Sequence, residues 1–263
     1  MDLGLAGRAC AVTGASRGIG REVARRLSEE GADVLLVARS EGPLAEAAAE
    51  CGGRACTLAL DVTWPDAGER IVAEAERAFG RLDVLVNNAG SARWRHLDDV
   101  PDEDWQAAWE VNVMAPLRAM RAAVPGMRER GYGRIVNVCS TAGKRPSTLM
   151  PEYSVAKAAE LSLSRLFADL YAADGVLVNA VCPGPTKSEL WMAPGGLLDQ
   201  SRELAGQASR EEALAAAGAK RPIGRLAEVR EVADVIVWLC SERASYVAGA
   251  AWSVDGGTVR VII

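Results

Sequence analysis

A single histidine, His96, serves the whole chain of 263 residues, and that scarcity removes several chemistries at once. A Ser-His-Asp hydrolase needs an imidazole beside its nucleophile. His96 instead follows Arg93, Trp94 and Arg95, a stretch with the character of a surface loop. No cluster of His, Cys, Asp and Glu has the spacing of a metal site. The six cysteines (Cys10, Cys51, Cys56, Cys139, Cys182, Cys240) include no C-x-x-C pair, so neither disulfides nor a structural metal is expected. Cys10, Cys139 and Cys182 fall in or beside apolar runs and are expected as small buried hydrophobes. No apolar run approaches the ~20 residues that span a bilayer. Met1-Asp2-Leu3-Gly4-Leu5 runs straight into a strand, so no signal peptide is expected and the cytoplasm is the expected compartment. The net charge of −5 gives no basic footprint, which argues against nucleic acid and an anionic membrane as partners.

What is present is an ordinary globular composition, 49% hydrophobic and 25% charged. Short apolar runs at 8–12, 33–37, 55–60, 82–86, 134–139, 177–181 and 251–254 alternate with helix-like stretches near 18–30, 41–51, 66–79, 103–130, 152–173 and 228–241. Strand runs without polar alternation, joined by helices, indicate a parallel sheet buried on both faces. The expected fold class is α/β: a single doubly wound Rossmann domain over 1–263, with a seven-stranded parallel sheet and helices on both faces. No internal repeat and no linker interrupts it. Residues 186–222 break the rhythm, with Leu190, Trp191, Met192, Leu197 and Leu198 followed by an Ala-rich stretch. That length predicts one or two short helices, and its place after a strand end marks it as a substrate lid.

Thr13-Gly14-Ala15-Ser16-Arg17-Gly18-Ile19-Gly20 follows the first strand and opens the first helix. Gly14 permits a tight turn, Gly18 admits a pyrophosphate to the backbone, and Gly20 allows close helix–strand packing. The helix N-terminus favours the anion. The spacing is G-x-x-x-G-x-G rather than G-x-G-x-x-G.

Further motifs follow in order: Asp61-Val62 after the third strand, Asn87-Asn88-Ala89-Gly90 after the fourth, and Asn112 in the long helix. Ser140 then follows the fifth strand, Tyr153-x-x-x-Lys157 opens the next helix, and Pro183-Gly184 closes the sixth strand. With these motifs the chain resembles the short-chain dehydrogenase/reductase family over nearly its whole length, nearest to the branch named for 3-oxoacyl-carrier-protein reductases. The resemblance implies a catalytic tetrad of Asn112, Ser140, Tyr153 and Lys157. It also implies that Asn88, Gly90 and Thr186 line the cofactor site, with Asp61 near the adenine. The implied activity is interconversion of a carbonyl and a secondary alcohol by hydride transfer, with a small-molecule substrate.

Tyr153 and Lys157 are four residues apart and share one helix face. A free tyrosine, with a pKa near ~10, is a poor base at neutral pH. A nearby ammonium and the positive nicotinamide of an oxidised cofactor favour the phenolate, so the Tyr153 pKa is expected to fall. Tyr153 would then protonate the developing alkoxide or take the hydroxyl proton, acting as general acid/base. Ser140 is placed to hold the substrate oxygen. Lys157 is expected also on the nicotinamide ribose, and the resemblance gives Asn112 a water that links Lys157 to solvent. Plainer readings stand beside these. A tyrosine at a helix start and its i+4 lysine are commonly surface residues, and Asn112 can simply bond its own helix. Asp61 reads equally as a strand-end cap, and Asn-Asn-Ala-Gly as a turn. Trp105, Trp109 and Trp238 read as packing, Trp94 and Trp191 as pocket walls.

The expected cofactor is NADP(H). Enzymes that use NAD commonly place an acid just after the second strand to bind the ribose hydroxyls. Here Ala38-Arg39-Ser40 follows that strand, with no carboxylate, and Arg39 together with Arg17 offers two guanidinium groups to a 2′-phosphate. The resemblance implies a homotetramer built on the helix at 103–130 and the Tyr153 helix. Val113, Leu117, Leu163 and Leu166 are candidates for its surface, with core packing the plainer reading. An acyl carrier protein is a doubtful partner. Arg128 and Arg130 could serve it, but Asp169 to Asp174 is acidic, and Leu177 stands where relatives often carry arginine. A carrier-protein-dependent 3-oxoacyl reductase and a non-catalytic nicotinamide-sensing Rossmann protein remain the alternatives. The second would favour loss of Tyr153 or Lys157, and both are present. The apolar lid residues suggest a medium or bulky apolar carbonyl substrate.

Overall fold

A computed structural model describes residues 1–260. The seven apolar runs form strands close to their expected positions, and the chain alternates them with helices. In order these are β1 (Ala9–Thr13), α1 (Gly18–Glu29), β2 (Asp33–Ala38), α2 (Glu41–Ala49), β3 (Ala55–Ala59), α3 (Ala67–Phe79) and β4 (Val84–Asn87). There follow α4 (Asp102–Trp109), α5 (Ala115–Glu129), β5 (Gly133–Val138), α6 (Thr141–Lys144), α7 (Pro151–Tyr171) and β6 (Val176–Pro183). Three short helices, α8 (Glu189–Met192), α9 (Leu197–Ala205) and α10 (Arg210–Ala219), precede α11 (Val229–Cys240) and β7 (Ala251–Val254). The strands make one sheet in the order β3-β2-β1-β4-β5-β6-β7. Every pair is parallel. The expected doubly wound α/β architecture is therefore present.

Why the strands lack polar alternation is visible in the two cores. Cys10, Val12, Val34, Leu36, Val84, Val86, Val136 and Val138 face α1, α2 and α11. Their sequence neighbours Ala11, Leu35, Val37, Leu85 and Ile135 face α3, α5 and α7. Successive side chains point to opposite faces, and here both faces are covered, so both sets must be apolar. Each fully buried Leu or Ile adds roughly 1.5–3 kcal/mol over its exposed state. Cys10, Cys139 and Cys182 are buried, and all six cysteines are free thiols.

Two elements differ from the sequence reading. The helix expected at 103–130 is α4 and α5 joined by one π-helical turn, Glu110–Met114. All the joining residues keep right-handed helical backbone, so periodicity alone does not mark the change. Residues 186–222 hold three helices rather than one or two. Pro194-Gly195-Gly196 and the left-handed Gly206 cut the segment into short pieces. Those pieces share a small core of their own, Trp191, Leu197, Leu198, Ala213, Ala217 and Leu226, against which Trp94, Met192 and Leu214 pack.

On the outer helical surface the plainer, core-packing reading holds for three of the four candidate interface residues. Val113 is buried, while Leu117 and Leu163 pack on the α3/α5/α7 core, which leaves Leu166 alone of those four exposed, at 53%. Val155 and Leu170 join it on α7, and Trp109, 44% exposed on α4, is not the packing residue expected. In α4 only Ala108 is buried, so the short helix has no inward position left for that indole. No helix among the described residues is long and apolar enough to cross a membrane.

Candidate active site

Because all strands are parallel, their C-terminal ends share one edge, and the sheet order reverses between β1 and β4. The crevice at that reversal is held by hydrogen bonds. The Thr13 hydroxyl accepts from the backbone N–H groups of Asn88 and Ala89, each at 3.0 Å. The Asn88 side-chain amide donates to the carbonyls of Thr13 at 3.0 Å and Gly14 at 3.3 Å. Asn88 thus spends its donors stitching β4 to the glycine turn. Gly14 has φ +66°, the left-handed region that its lack of a side chain permits. A β-carbon at position 20 would meet the Asn88 amide and stand 2.5 Å from the Gly14 carbonyl oxygen. Gly20 therefore lets the first turn of α1 close on the ends of β1 and β4.

The rest of the crevice is assembled from the other strand ends. Ser16 is half-buried, Arg17 is exposed, and Ile19 packs on the α1/α11 core. Gly18 opens α1 and faces Ser188 and Glu189 at the start of α8. Arg39 and Ser40 are exposed after β2. Neither Arg17 nor Arg39 makes an ion pair with the described residues. Asp61 accepts from the Thr63 N–H at 3.0 Å and hydroxyl at 2.8 Å, the strand-end cap that was one of its two readings. Burial opposes its charge, but those bonds and the nearby Arg39 outweigh it and lower its pKa. Val62 packs on the α3/α5 side, and Gly90 is exposed. Pro183 ends β6, Gly184 lies against Asp255, and buried Thr186 donates to the Gly184 carbonyl at 2.9 Å.

Beside this crevice lie the four residues of the expected tetrad. Ser140 caps α6, its Oγ accepting from the Ala142 N–H at 3.1 Å, which leaves the hydroxyl proton free to donate. Asn112 sits in the π-helical turn, a rare local structure frequent at functional sites. Its amide donates to the Ala108 carbonyl at 2.9 Å, while the buried Oδ1 has no protein partner. That oxygen and the Lys157 ammonium both approach Gly90. Lys157 is 2% exposed and donates to the Val138 carbonyl at 2.9 Å and to Glu160 at 2.7 Å. Its nitrogen lies 5.7 Å from the centre of the Tyr153 ring.

The protein's own groups raise the Tyr153 pKa, whereas the expected fall also counts the positive nicotinamide of an oxidised cofactor. Burial is the largest cause, and although Lys157 and the Ser140 hydroxyl pull it down, Glu160 pushes it up. Burial also opposes the Lys157 ammonium, yet Glu160 and Tyr153 outweigh it and hold the proton there. Glu160 was not legible as a site residue. Its only signal was an acid three residues after Lys157 on the same helix.

Several expectations about the surroundings change. Trp94 and Trp191 do meet, edge to face at 6.2 Å, but Trp191, Leu197 and Leu198 form the interior of the 186–222 segment. They give no ground for an apolar substrate. Arg128 and Arg130 lie at the end of α5, which leads into the N-terminal end of β5, while Ser140 follows the C-terminal end of that strand. Arg128 already pairs with Asp174 at 2.6 Å, and Arg130 donates to the Leu82 carbonyl at 2.7 Å. Among the described residues no group of His, Cys, Asp and Glu is placed to hold a metal ion.

A sequence profile described as enoyl-(acyl carrier protein) reductase matches residues 14–259. The chain belongs to the short-chain dehydrogenase/reductase family of oxidoreductases. It is 34% identical to the 3-oxoacyl-(acyl-carrier-protein) reductase FabG of Vibrio cholerae over 259 residues, 98% of this chain and 100% of that one. It is 36% identical to 2-(S)-hydroxypropyl-CoM dehydrogenase 3 of Xanthobacter autotrophicus over 255 residues, 95% and 96% of the two chains. Among solved structures it is similar to L-sorbose reductase of Gluconobacter frateurii complexed with NADPH and L-sorbose. The TM-score there is 0.92 at 36% identity, covering 100% of both chains.

The Gly20 contact yields a direct test. Gly20→Ala should lower stability by about 1–3 kcal/mol through overpacking. It should also weaken nicotinamide cofactor binding more than tenfold, because the turn cannot close. Thermal melting and cofactor titration check both, and an unchanged dissociation constant would remove Gly20 from the turn's function.

Proposed function

We propose that this chain is an NADP(H)-dependent reductase that interconverts a small-molecule carbonyl and a secondary alcohol. The observation that carries the reading is the convergence of the Ser140 hydroxyl, Tyr153 and Lys157 beside the glycine turn. The crevice suits a dinucleotide. The start of α1 offers backbone N–H groups to a pyrophosphate, and position 20 admits no side chain. Gly14, Ser16, Gly18 and Ile19 would hold the phosphates, Asp61 and Val62 the adenine side, and Ala89, Gly90, Pro183, Gly184 and Thr186 the nicotinamide side. The bound nicotinamide would supply the hydride.

The chain's own residues would do the remaining work. Ser140 donates its free proton to the substrate carbonyl oxygen and so fixes it. Tyr153 protonates that oxygen as charge develops, breaking its own O–H bond and forming that of the alcohol. Lys157 faces the crevice with an ammonium that stays charged, and Asn112 Oδ1 offers an unclaimed acceptor for a proton route. The 186–222 segment, arriving over Gly18, would act as the lid. An NADPH-oxidation screen across β-ketoacyl thioesters, cyclic ketones, steroids, sugars and quinones tests the substrate class. Tyr153→Phe should keep fold and cofactor affinity while losing ~10²–10⁴-fold in kcat. Retention of more than about a third of wild-type kcat, well outside that range, would falsify the assignment.

The preference for NADP(H) rests on Arg17 and Arg39, exposed and without ion pairs on the two loops that flank the ribose. Ala38→Asp combined with Arg39→Leu should reverse the cofactor preference, read as kcat/KM with each cofactor on one substrate. Wild-type protein that uses NADH at least as well as NADPH would overturn this part.

A homotetramer is the proposed assembly. Val155, Leu166 and Leu170 form an exposed apolar stripe along α7, with Trp109 on the adjoining α4, a face that a second copy can cover. Light scattering should give about four times the 27.8 kDa chain mass, and Leu166→Asp with Leu170→Asp should reduce it. A wild-type mass of one chain at micromolar concentration rules the assembly out.

A further inference from the structure

Two consecutive residues of the loop after β4 reach into different parts of the molecule. Trp94 belongs to the 186–222 side: its backbone N–H donates to the Gln200 side-chain oxygen on α9 at 2.9 Å, and its indole packs against the core of that segment. Among the described residues this is the one hydrogen bond between residues 187–222 and the chain that precedes them. Arg95 belongs to α7. Its backbone N–H donates to the Leu149 carbonyl at 2.9 Å, in the turn that enters that helix. Its guanidinium pairs with Asp104 on α4 and brings Nε to 3.8 Å from a carboxylate oxygen of Glu152, the residue before Tyr153. Glu152 is 5% exposed, and Arg95 is its one ion-pair partner among the described residues. A buried carboxylate persists only where a charge or donors offset it, so Glu152 and Arg95 hold each other in place.

We propose that Trp94 and Arg95 form a strut between the 186–222 segment and the first turn of α7, with Arg95 as a positioning residue, so that the seating of the lid and the placement of Tyr153 are set together. This rests on the readings of 186–222 as the lid and of Tyr153 as the proton donor. The strut transmits a shift because both of its ends are firmly packed. At one end Trp94 meets Trp191 edge to face, and the Gln200 amide that receives it also donates to the Gly195 carbonyl at 2.9 Å. At the other end Arg95 is wedged between α4 and α7, 17% exposed. One planar peptide separates the two residues, which leaves two soft dihedrals to absorb a displacement.

Coupling between two places in a protein is reciprocal. Weakening the strut at its α7 end therefore loosens α9, and weakening it at the lid end loosens the first turns of α7. Amide hydrogen exchange reads the opening of each segment without substrate or turnover. In catalysis the loss falls on kcat, because Tyr153 and the carbonyl are no longer brought into one geometry. Cofactor binding at the glycine turn, which the strut does not touch, is left as it was.

The test follows hydrogen exchange along the whole chain in wild type, Arg95→Met, Arg95→Lys and Gln200→Leu. Arg95→Met keeps an apolar stem and removes both ion pairs, while Arg95→Lys restores a cation. Arg95 shares no hydrogen bond or ion pair with α9, yet Arg95→Met should speed exchange there about fivefold or more. Arg95→Lys should recover most of that protection. Gln200→Leu, on the half-buried face of the lid, should speed exchange in the first turns of α7 by a similar factor. A residue that merely props the corner between α4 and α7 would change exchange around 95, 104 and 152 and leave α9 as in wild type, and that result overturns the proposal. So does a Gln200→Leu protein whose α7 exchange superimposes on wild type, a measurement that stands even if Arg95→Met does not fold. On a substrate found by the screen, Arg95→Met should lower kcat about tenfold or more with an unchanged NADPH dissociation constant. An unchanged kcat overturns the link to Tyr153. Absence of turnover on every carbonyl compound would count against the reductase reading alone, because exchange still reports on the strut.

Discussion

A sheet whose seven strands are all parallel and covered on both faces leaves room for chemistry only where the strands end. In the central strands most backbone groups are committed to the ladder and most side chains to one of two apolar cores. The polar residues that matter therefore gather along the C-terminal edge: Thr13 and the glycine turn after β1, Asn88 after β4, Ser140 after β5 and Thr186 after β6. The reversal of strand order between β1 and β4 opens the edge into a crevice. Thr13 and Asn88 fix its width, since each bonds across from one strand end to the other.

The second constraint is a buried ammonium. Lys157 enters a region where a charge is costly, and its position is set by the acceptors that offset that cost: the Val138 carbonyl at the end of β5 and Glu160 one turn along α7. Beside it the π-helical turn carries Asn112 inward, with one amide proton spent on Ala108 and a free oxygen left facing the crevice. These groups act together. The proton on Tyr153 answers to the sum of Lys157, Glu160, Ser140 and burial, not to the nearest positive charge alone.

The relatives share this frame while their names carry different substrates, as expected when function resides in sites grafted on a common fold. In this chain the 186–222 segment, with Trp94 packed against it, stands apart from the two cores of the sheet. Its apolar residues mostly pack on one another, so the segment is a small body with its own core rather than a loose flap.

The amino-acid sequence by itself determined the elements and their class. Apolar runs of strand length without polar alternation, such as Val34-Leu35-Leu36-Val37, indicate doubly covered parallel strands once they alternate with helical stretches along the chain. The glycine turn and the shared helix face of Tyr153 and Lys157 could be read from short spacing, while Ser140 and Asn112 were singled out by the ordered motifs that carry the family resemblance. What depends on contacts between distant segments was not legible. The π-helical turn is flanked by ordinary right-handed helical backbone and is defined by its hydrogen-bond register, which no local composition marks. Val113, Leu117 and Leu163 lie on helices whose buried side is chosen by neighbouring elements, not by local pattern. The direction of the Tyr153 pKa in the protein itself is set first by burial, which no local pattern shows, against the pull of Lys157. Only the tertiary structure buries Glu160, and burial is what makes an acid three residues from Lys157 its close ion-pair partner.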